Sequence, residues 1–273
     1  MPSNNRTAFI TGASRGIGKA IALRLAKTGA NIVIAAKSVE ENPKLGGTIF
    51  SAAEEIEKAG GKALPVQCDI RSEDQIQNAV DKAVAEFGGI DIVVNNASAI
   101  SITPTEQTEP KRFDLMHDIN VRGTFFVTKT CIPHLRRSSN AHILTLSPPI
   151  NLNPKWFGGH VAYTISKYSM SMMAIGWAVE LKQYRIASNA LWPRTTIDTA
   201  AVRNLLGGEA LARMSRTPDI LADAAYFIFD KPSADCTGNC FIDEDVLAKE
   251  GITDLSHYNV VPGANLYRDL FVD

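Results

Sequence analysis

No stretch of this 273-residue chain approaches the ~20 consecutive apolar residues that a membrane-spanning helix needs, so a helical membrane protein is excluded. An excess of one charge sign is missing too. Lys and Arg number 28 against 29 Asp and Glu, and a net charge of -1 leaves no positive field for nucleic acid or an anionic membrane surface. Cysteine is scarce. Cys68, Cys131, Cys236 and Cys240 show no zinc-type pairing, and Cys236-x-x-x-Cys240 lacks a second ligand pair, so reduced thiols in the cytoplasm are expected rather than a metal or a disulfide framework. A targeting signal is also unexpected. Six polar residues lead directly into Thr7-Ala-Phe-Ile-Thr11, and the final Phe-Val-Asp273 matches no retention or peroxisomal tripeptide. Internal repeats and low-complexity tracts are absent, and a 45% apolar, 21% charged composition is that of a globular domain with a sizeable core.

What is there is an alternation of strand and helix patterns. Apolar strands are expected at residues 7–10, 31–36, 62–68, 90–94, 141–146, 185–191 and 239–242. Helical patterns follow Gly18 and cover 48–59, 72–87, 110–135 (interrupted), 161–181, 200–214 and 218–230, with an inserted surface loop at 41–47. This order predicts an α/β fold: one doubly wound parallel sheet of about seven strands, helices on both faces, in a single domain over 1–255. Residues 256–273 read as a polar tail packing on the domain or on a neighbouring subunit. The first strand runs into Thr11-Gly-Ala-Ser-Arg-Gly-Ile-Gly18 and then a helix, the βαβ entry that binds dinucleotides. Its glycines permit a tight turn and close approach, and the helix N-terminus offers N–H groups to a pyrophosphate.

The helix at 161–181 carries Tyr163-Thr-Ile-Ser-Lys167. A four-residue spacing sets Lys167 beside Tyr163 on one face. A free phenol titrates near ~10, and an adjacent ammonium is expected to pull it toward working range, making Tyr163 a proton donor or acceptor. The spacing is common by chance, and its bland reading is a core tyrosine with a lysine reaching solvent.

The ordered set of motifs resembles the short-chain dehydrogenase/reductase family over residues 7 to about 245. It comprises the Gly12, Gly16 and Gly18 turn, Asn95-Asn-Ala97, Asn120 in Asp118-Ile-Asn-Val-Arg-Gly123, Ser147 at a strand end, Tyr163 with Lys167, the loop at Pro193, and Thr237-Gly-Asn239. Within the family, the insertion Asn42-Pro-Lys-Leu-Gly-Gly-Thr48, Leu146-Ser-Pro-Pro149 and Ala190-Leu-Trp-Pro-Arg-Thr195 resemble the hydroxysteroid dehydrogenase-like protein 2 group. Some members of that group carry a sterol-carrier domain after the dehydrogenase. This chain has none before Asp273, so a lipid-delivery role is not expected to transfer.

The resemblance implies a Rossmann-like fold and an oxidoreductase (EC 1.1.1 type) moving hydride between a nicotinamide and a lipophilic secondary alcohol or ketone, steroid-, acyl- or aldehyde-like. It assigns Tyr163 as general acid/base, Ser147 as the hydrogen-bonding partner of the reacting oxygen, Lys167 as the group that lowers the phenol's pKa and binds the nicotinamide ribose, and Asn120 as the anchor of a proton-relay water. Cofactor contacts are expected from Gly12, Ser14, Arg15, Gly16, Ile17, Gly18, Lys37, Asp69, Ile70, Asn96, Ala97, Tyr163, Lys167, Pro193, Thr195 and Ile197. Asp69 reads equally as an adenine contact or as the cap of the next helix. Ala35-Ala-Lys-Ser38 offers one cation, Lys37, and no carboxylate before Glu40, and Arg15 of the glycine-rich turn adds a second cation nearby, which favours NADP(H) over NAD(H). No metal is expected. Partners are a small-molecule substrate and further copies of the chain in a dimer or tetramer. Three departures stand out: Ser98 where the family has Gly, Arg194 where Gly follows the loop proline, and a long 148–160 segment that reads as a substrate lid. Arg194 is expected to bind an anionic group of cofactor or substrate. The competing classes are a nucleotide-binding redox sensor without turnover and a structural subunit; neither explains Asn120, Ser147, Tyr163 and Lys167 together.

Overall fold

A computed structural model describes residues 5–273; residues 1–4, part of the polar N-terminal stretch, lie outside the described residues. Seven parallel strands form one sheet in the order β3-β2-β1-β4-β5-β6-β7. In chain order the elements are β1 (Thr7–Thr11), α1 (Gly16–Ala26), β2 (Asn31–Ala36), α2 (Ile49–Lys58), β3 (Lys62–Gln67), α3 (Glu73–Phe87), β4 (Ile92–Asn95), α4 (Pro110–Met116) and α5 (Thr124–Leu135). They continue through β5 (His142–Leu146), α6 (Val161–Glu180), β6 (Ala187–Trp192), α7 (Gly208–Arg213), α8 (Asp219–Asp230), β7 (Cys240–Ile242) and α9 (Asp243–Lys249). This is the Rossmann-like arrangement expected from the sequence.

The strands read as continuous apolar runs because both faces are covered. Alternate side chains of one strand enter opposite cores. Ile32 and Ile34 of β2 pack with α1, α2 and α8, whereas Val33 and Ala35 pack with α3 and α5. The order reverses direction between β1 and β4, both of which pair in parallel with their neighbours, and a crevice opens there at the carboxyl ends of the strands.

Several elements differ from the sequence expectation for physical reasons. The interruption within 110–135 is a widened turn: His117–Gly123 forms π-type hydrogen bonds between α4 and α5, with Asn120 buried in it. The helix expected at 200–214 breaks at Gly207 and Gly208, the latter at φ +64, into a π-helical turn (Val202–Leu206) and α7. Arg185 is left-handed at φ 55 and closes a short turn, so β6 starts at Ala187 rather than at 185. Helix α9 is absent from the sequence reading, although Asp243, Glu244 and Asp245 in its first turn complement a helix dipole. Among the described residues no helix is long and apolar enough to cross a membrane.

Candidate active site

The glycine turn joins β1 to α1, and Asn96 buttresses it. Asn96 Nδ2 donates to Thr11 O (2.8 Å) and Gly12 O (3.2 Å), while Thr11 Oγ1 accepts from the backbone N–H groups of Asn96 and Ala97 at 3.0 Å each. A Cβ on Gly18 would stand 2.5 Å from Asn96 Nδ2 and 2.9 Å from Gly12 O, so packing admits only glycine there. Gly16 is held at φ +56, a conformation L side chains rarely adopt. No side chain caps the N-terminus of α1, whose first N–H groups therefore face the turn, as a diphosphate requires. Asn96 and Ala97, expected as cofactor contacts, hold the turn in shape.

Arg15 reaches across this turn to the 41–47 insertion. Its Nε donates to Gly46 O (2.6 Å) and its Nη2 to Ser38 Oγ (2.8 Å) and Gly47 O (2.9 Å). The loop is therefore tied down over buried Ser14, whose carbonyl would lie 2.5 Å from a Cβ on Gly47. Lys37 is exposed at the end of β2. Asp69 is not the helix cap: Ser72 Oγ accepts from Gln75 N at the start of α3, and Asp69 is paired with Arg71 instead. That hydrogen-bonded pair holds the Asp69 carboxyl below the usual carboxylate range. Ile70 is buried against Gly123, where a Cβ would meet it at 2.7 Å.

A cavity of about 620 Å³ lies beside the turn and is lined by Ile17, Asn96, Ser98, Tyr163, Lys167, Pro193 and Ile197, among others. Tyr163 and Lys167 do share one face of α6, and both are buried. Lys167 Nζ donates to Leu146 O (2.7 Å) and lies 3.4 Å from Ser98 Oγ and 5.0 Å from the centroid of the Trp192 ring. The electrostatics correct one expectation. Lys167 does not bring the phenol down; burial pushes Tyr163 well above its usual range, and the nearby Asp269 carboxyl adds to the shift. Burial likewise lowers Lys167 to about 7, opposed by Asp269, and raises Asp269 to about 7. Tyr163 therefore stays protonated at neutral pH, while the lysine and the aspartate both titrate near it.

Ser147 follows β5 and is fully buried, and its hydroxyl has no hydrogen-bond partner among the described residues. It does not line the cavity, whereas Tyr163 does. The buried Thr195 hydroxyl is similarly unpartnered. Asn120 holds the 98–100 stretch against α6. Its Oδ1 accepts from Ala99 N (2.8 Å), and its Nδ2 donates to Ala99 O (2.9 Å) and Ser166 Oγ (3.0 Å). The Asn120 amide is thus occupied by protein partners.

Arg194 does not reach the cavity. Its guanidinium pairs with Asp245 (2.5 Å) and Glu244 (3.4 Å) on α9, carboxylates that occupy the group expected to meet an anion. Residues that the sequence reading leaves out of the site also line it, Asp269 and Leu270 among them. They arrive through a backbone pairing of the C-terminal segment with the loop after β6, where Asp269 N donates to Arg194 O (3.0 Å) and Trp192 Nε1 to Leu270 O (2.9 Å). Only the mixed polar and apolar pattern of Tyr267-Arg-Asp-Leu-Phe271 hints at this from sequence.

Known proteins carry the same architecture. A solved short-chain dehydrogenase from Mycobacterium thermoresistibile is 56% identical, with a TM-score of 0.93 over 98% of this chain and 95% of its own. A solved protein from Xanthomonas campestris is 53% identical, with a TM-score of 0.95 over 98% of both chains. Hydroxysteroid dehydrogenase-like protein 2 of Xenopus tropicalis is 61% identical over 98% of this chain, which spans 63% of that relative's length. The family model described as short chain dehydrogenase matches residues 6–209. With its parallel seven-stranded sheet and its glycine turn, the chain belongs to the short-chain dehydrogenase family, whose members are oxidoreductases that use nicotinamide cofactors.

Proposed function

We propose that this chain is an NADP(H)-dependent oxidoreductase that interconverts a lipophilic ketone and its secondary alcohol. One observation carries the reading: Tyr163 and Lys167 face a mainly apolar cavity directly beside the glycine turn. The cofactor would lie along Gly12, Gly16 and Gly18, with Ile17, Pro193, Thr195 and Ile197 at its nicotinamide end and Lys37 and Arg15 at its adenosine end. When bound, it supplies or accepts the hydride at the carbonyl carbon.

The residues of the chain handle the oxygen and the proton. Because burial keeps Tyr163 protonated, it serves as the acid that delivers a proton to the carbonyl oxygen during reduction. In the reverse direction it takes the alcohol proton back. The Ser147 hydroxyl, free of protein partners, donates a hydrogen bond to the same oxygen and stabilises charge that develops on it. Lys167 is poised to change charge near pH 7 and, through Ser98 and the Leu146 carbonyl, holds the floor of the site. Asn120 positions the 98–100 stretch that carries Ser98. The preference for NADP(H) is supported by Lys37 and by the lack of a carboxylate at the end of β2.

Phe125 of α5 and Ile165, Met172 and Val179 of α6 leave an exposed apolar face, which favours a homo-oligomer. The four cysteines form no disulfide, which fits a reducing, cytoplasmic location. The decisive experiment is Tyr163→Phe, assayed with NADPH and a panel of ketones, 3-oxoacyl thioesters and steroids. Reduction is expected to fall at least ~100-fold while NADPH binding stays within about twofold. Undiminished turnover in the variant refutes the reading.

A further inference from the structure

Phe271 is the most enclosed group near the proposed chemistry. None of its surface is exposed, and its ring centroid lies 5.2 Å from that of Tyr168, 5.9 Å from Trp156 and His160, 6.1 Å from Trp192 and 6.2 Å from Tyr163. Five aromatic rings thus form a box, one wall of which is the tyrosine assigned to proton transfer. The occupant is held unusually. Its backbone sits at φ 71, an outlier for a bulky residue and a mark of local strain.

The restraints on the segment weaken toward this ring. Residues 267–270 are pinned to the loop after β6 through Thr196 N to Tyr267 O (2.9 Å), Asp269 N to Arg194 O (3.0 Å) and Trp192 Nε1 to Leu270 O (2.9 Å). Among the described residues no backbone hydrogen bond holds Phe271 itself. Beyond it, the Asp273 side chain meets Lys155 (2.5 Å), Asn151 Nδ2 (2.7 Å) and Trp156 Nε1 (3.3 Å) on the 148–160 segment. These are exposed polar contacts of the kind that adds little stability. The ring is therefore kept in place chiefly by the box itself, and only a group able to replace its aromatic contacts offsets the cost of moving it. The site also carries a mismatch. Ser147 and Tyr163 must reach one oxygen, yet only Tyr163 lines the cavity while Ser147 is sealed.

We propose that the Phe271 ring fills the subsite of the substrate's own ring, so that Phe271 is a specificity-determining residue and the substrates are ketones whose carbonyl carries an aryl or alicyclic group. The inference rests on the oxidoreductase reading of the same site and names its substrate class. A substrate ring displaces Phe271, stacks among Trp156, His160, Tyr168 and Trp192, and brings the attached carbonyl between Ser147 and Tyr163. A purely linear chain has no flat face to exchange for the phenyl ring and leaves it seated.

The test uses the full chain, with acetophenone as the ring ketone and 2-butanone as the linear one. In Phe271→Ala the box is open, and acetophenone should raise the melting temperature of the variant by several degrees while 2-butanone and the wild type show no comparable shift. The ratio of kcat/KM for acetophenone over 2-butanone should rise at least tenfold, the discrimination that a few methylene equivalents confer in an apolar pocket. Phe271→Leu, which keeps most of the core volume, should move the ratio the same way if the alanine variant fails to fold. In the wild type, acetophenone should speed hydrogen exchange of the Asp269 and Leu270 amides. Turnover with an unchanged ratio in the variants and unchanged exchange in the wild type would overturn the proposal and leave the oxidoreductase reading standing. Ligand-dependent melting and exchange without any turnover would uphold the ring subsite and refute that reading instead.

Discussion

Gly18→Ala tests the geometry on which the cofactor site depends, because two opposing effects can be weighed from the structure. Gly18 lies in the first turn of α1, and alanine in a helix is favoured over glycine by about 0.8–1.0 kcal/mol. Against that, the new methyl would sit 2.5 Å from Asn96 Nδ2 and 2.9 Å from the backbone oxygen of Gly12. The amide must retreat, which breaks its hydrogen bonds to Thr11 O and Gly12 O, worth about 0.5–1.5 kcal/mol each. The Gly12 carbonyl cannot retreat without reshaping the turn, and overpacking of this kind costs about 1–3 kcal/mol. The clash wins, and a net destabilisation of roughly 1–5 kcal/mol is expected. Since the same shift deforms the turn, the dissociation constant for NADPH should rise about tenfold or more, equivalent to about 1.4 kcal/mol. Urea unfolding and titration of nucleotide fluorescence measure both. Gly89→Ala is the control: nothing lies within 4 Å of its Cβ, and the change should stay within about 0.5 kcal/mol of wild type. A Gly18→Ala protein as stable as wild type, with unaltered NADPH affinity, would refute the reasoning.

The remaining predictions concern charge. Burial pushes the Asp243 carboxyl from 3.8 up to about 7, helped by the Glu244 charge and opposed by N–H donors from Arg194 and Glu244 and by Arg216. The folded state therefore holds this proton more tightly, so its stabilisation is complete below about pH 4 and is lost as pH rises through 7, by up to ~4 kcal/mol. Asp269 acts in the same window, whereas Lys167, lowered from 10.5 to about 7, adds stability as pH climbs from about 7 to 10. Asp243→Asn should flatten the decline in melting temperature between pH 5 and 8, and parallel profiles for variant and wild type would count against it. Lys37→Ala should raise the KM for NADPH about tenfold and leave that for NADH nearly unchanged. Equal effects on the two cofactors would remove Lys37 from the adenosine end.

Local signals made much of this legible from residues alone. Thr48 and Ser72, the first residues of the helical patterns at 48–59 and 72–87, cap α2 and α3 through their side chains. That Tyr163 and Lys167 lie on one helical face follows from periodicity, and both line the cavity. Their acid–base balance was not legible, because it depends on how deeply α6 is buried and on a carboxylate from a distant segment. Asp69 and Arg194 make the same point from the other side. Asp69 was expected as an adenine contact or a helix cap and Arg194 as an anion ligand; each meets a charged partner that its spacing does not announce, Arg71 beside it or the carboxylates of α9 across the fold. The helical pattern at 200–214 is divided in the structure at Gly207 and Gly208, where the backbone leaves the helical region.

The sequence by itself determined the parallel sheet, the cofactor turn and the helix that presents tyrosine and lysine, since each is written in contiguous residues whose spacing matches the period of a strand or helix. The tertiary structure alone decided which groups share the cavity, which are sealed from it and what each pKa becomes. Those properties arise from desolvation and from contacts between remote segments, above all the seating of residues 267–273 against the loop after β6, and no local pattern encodes them.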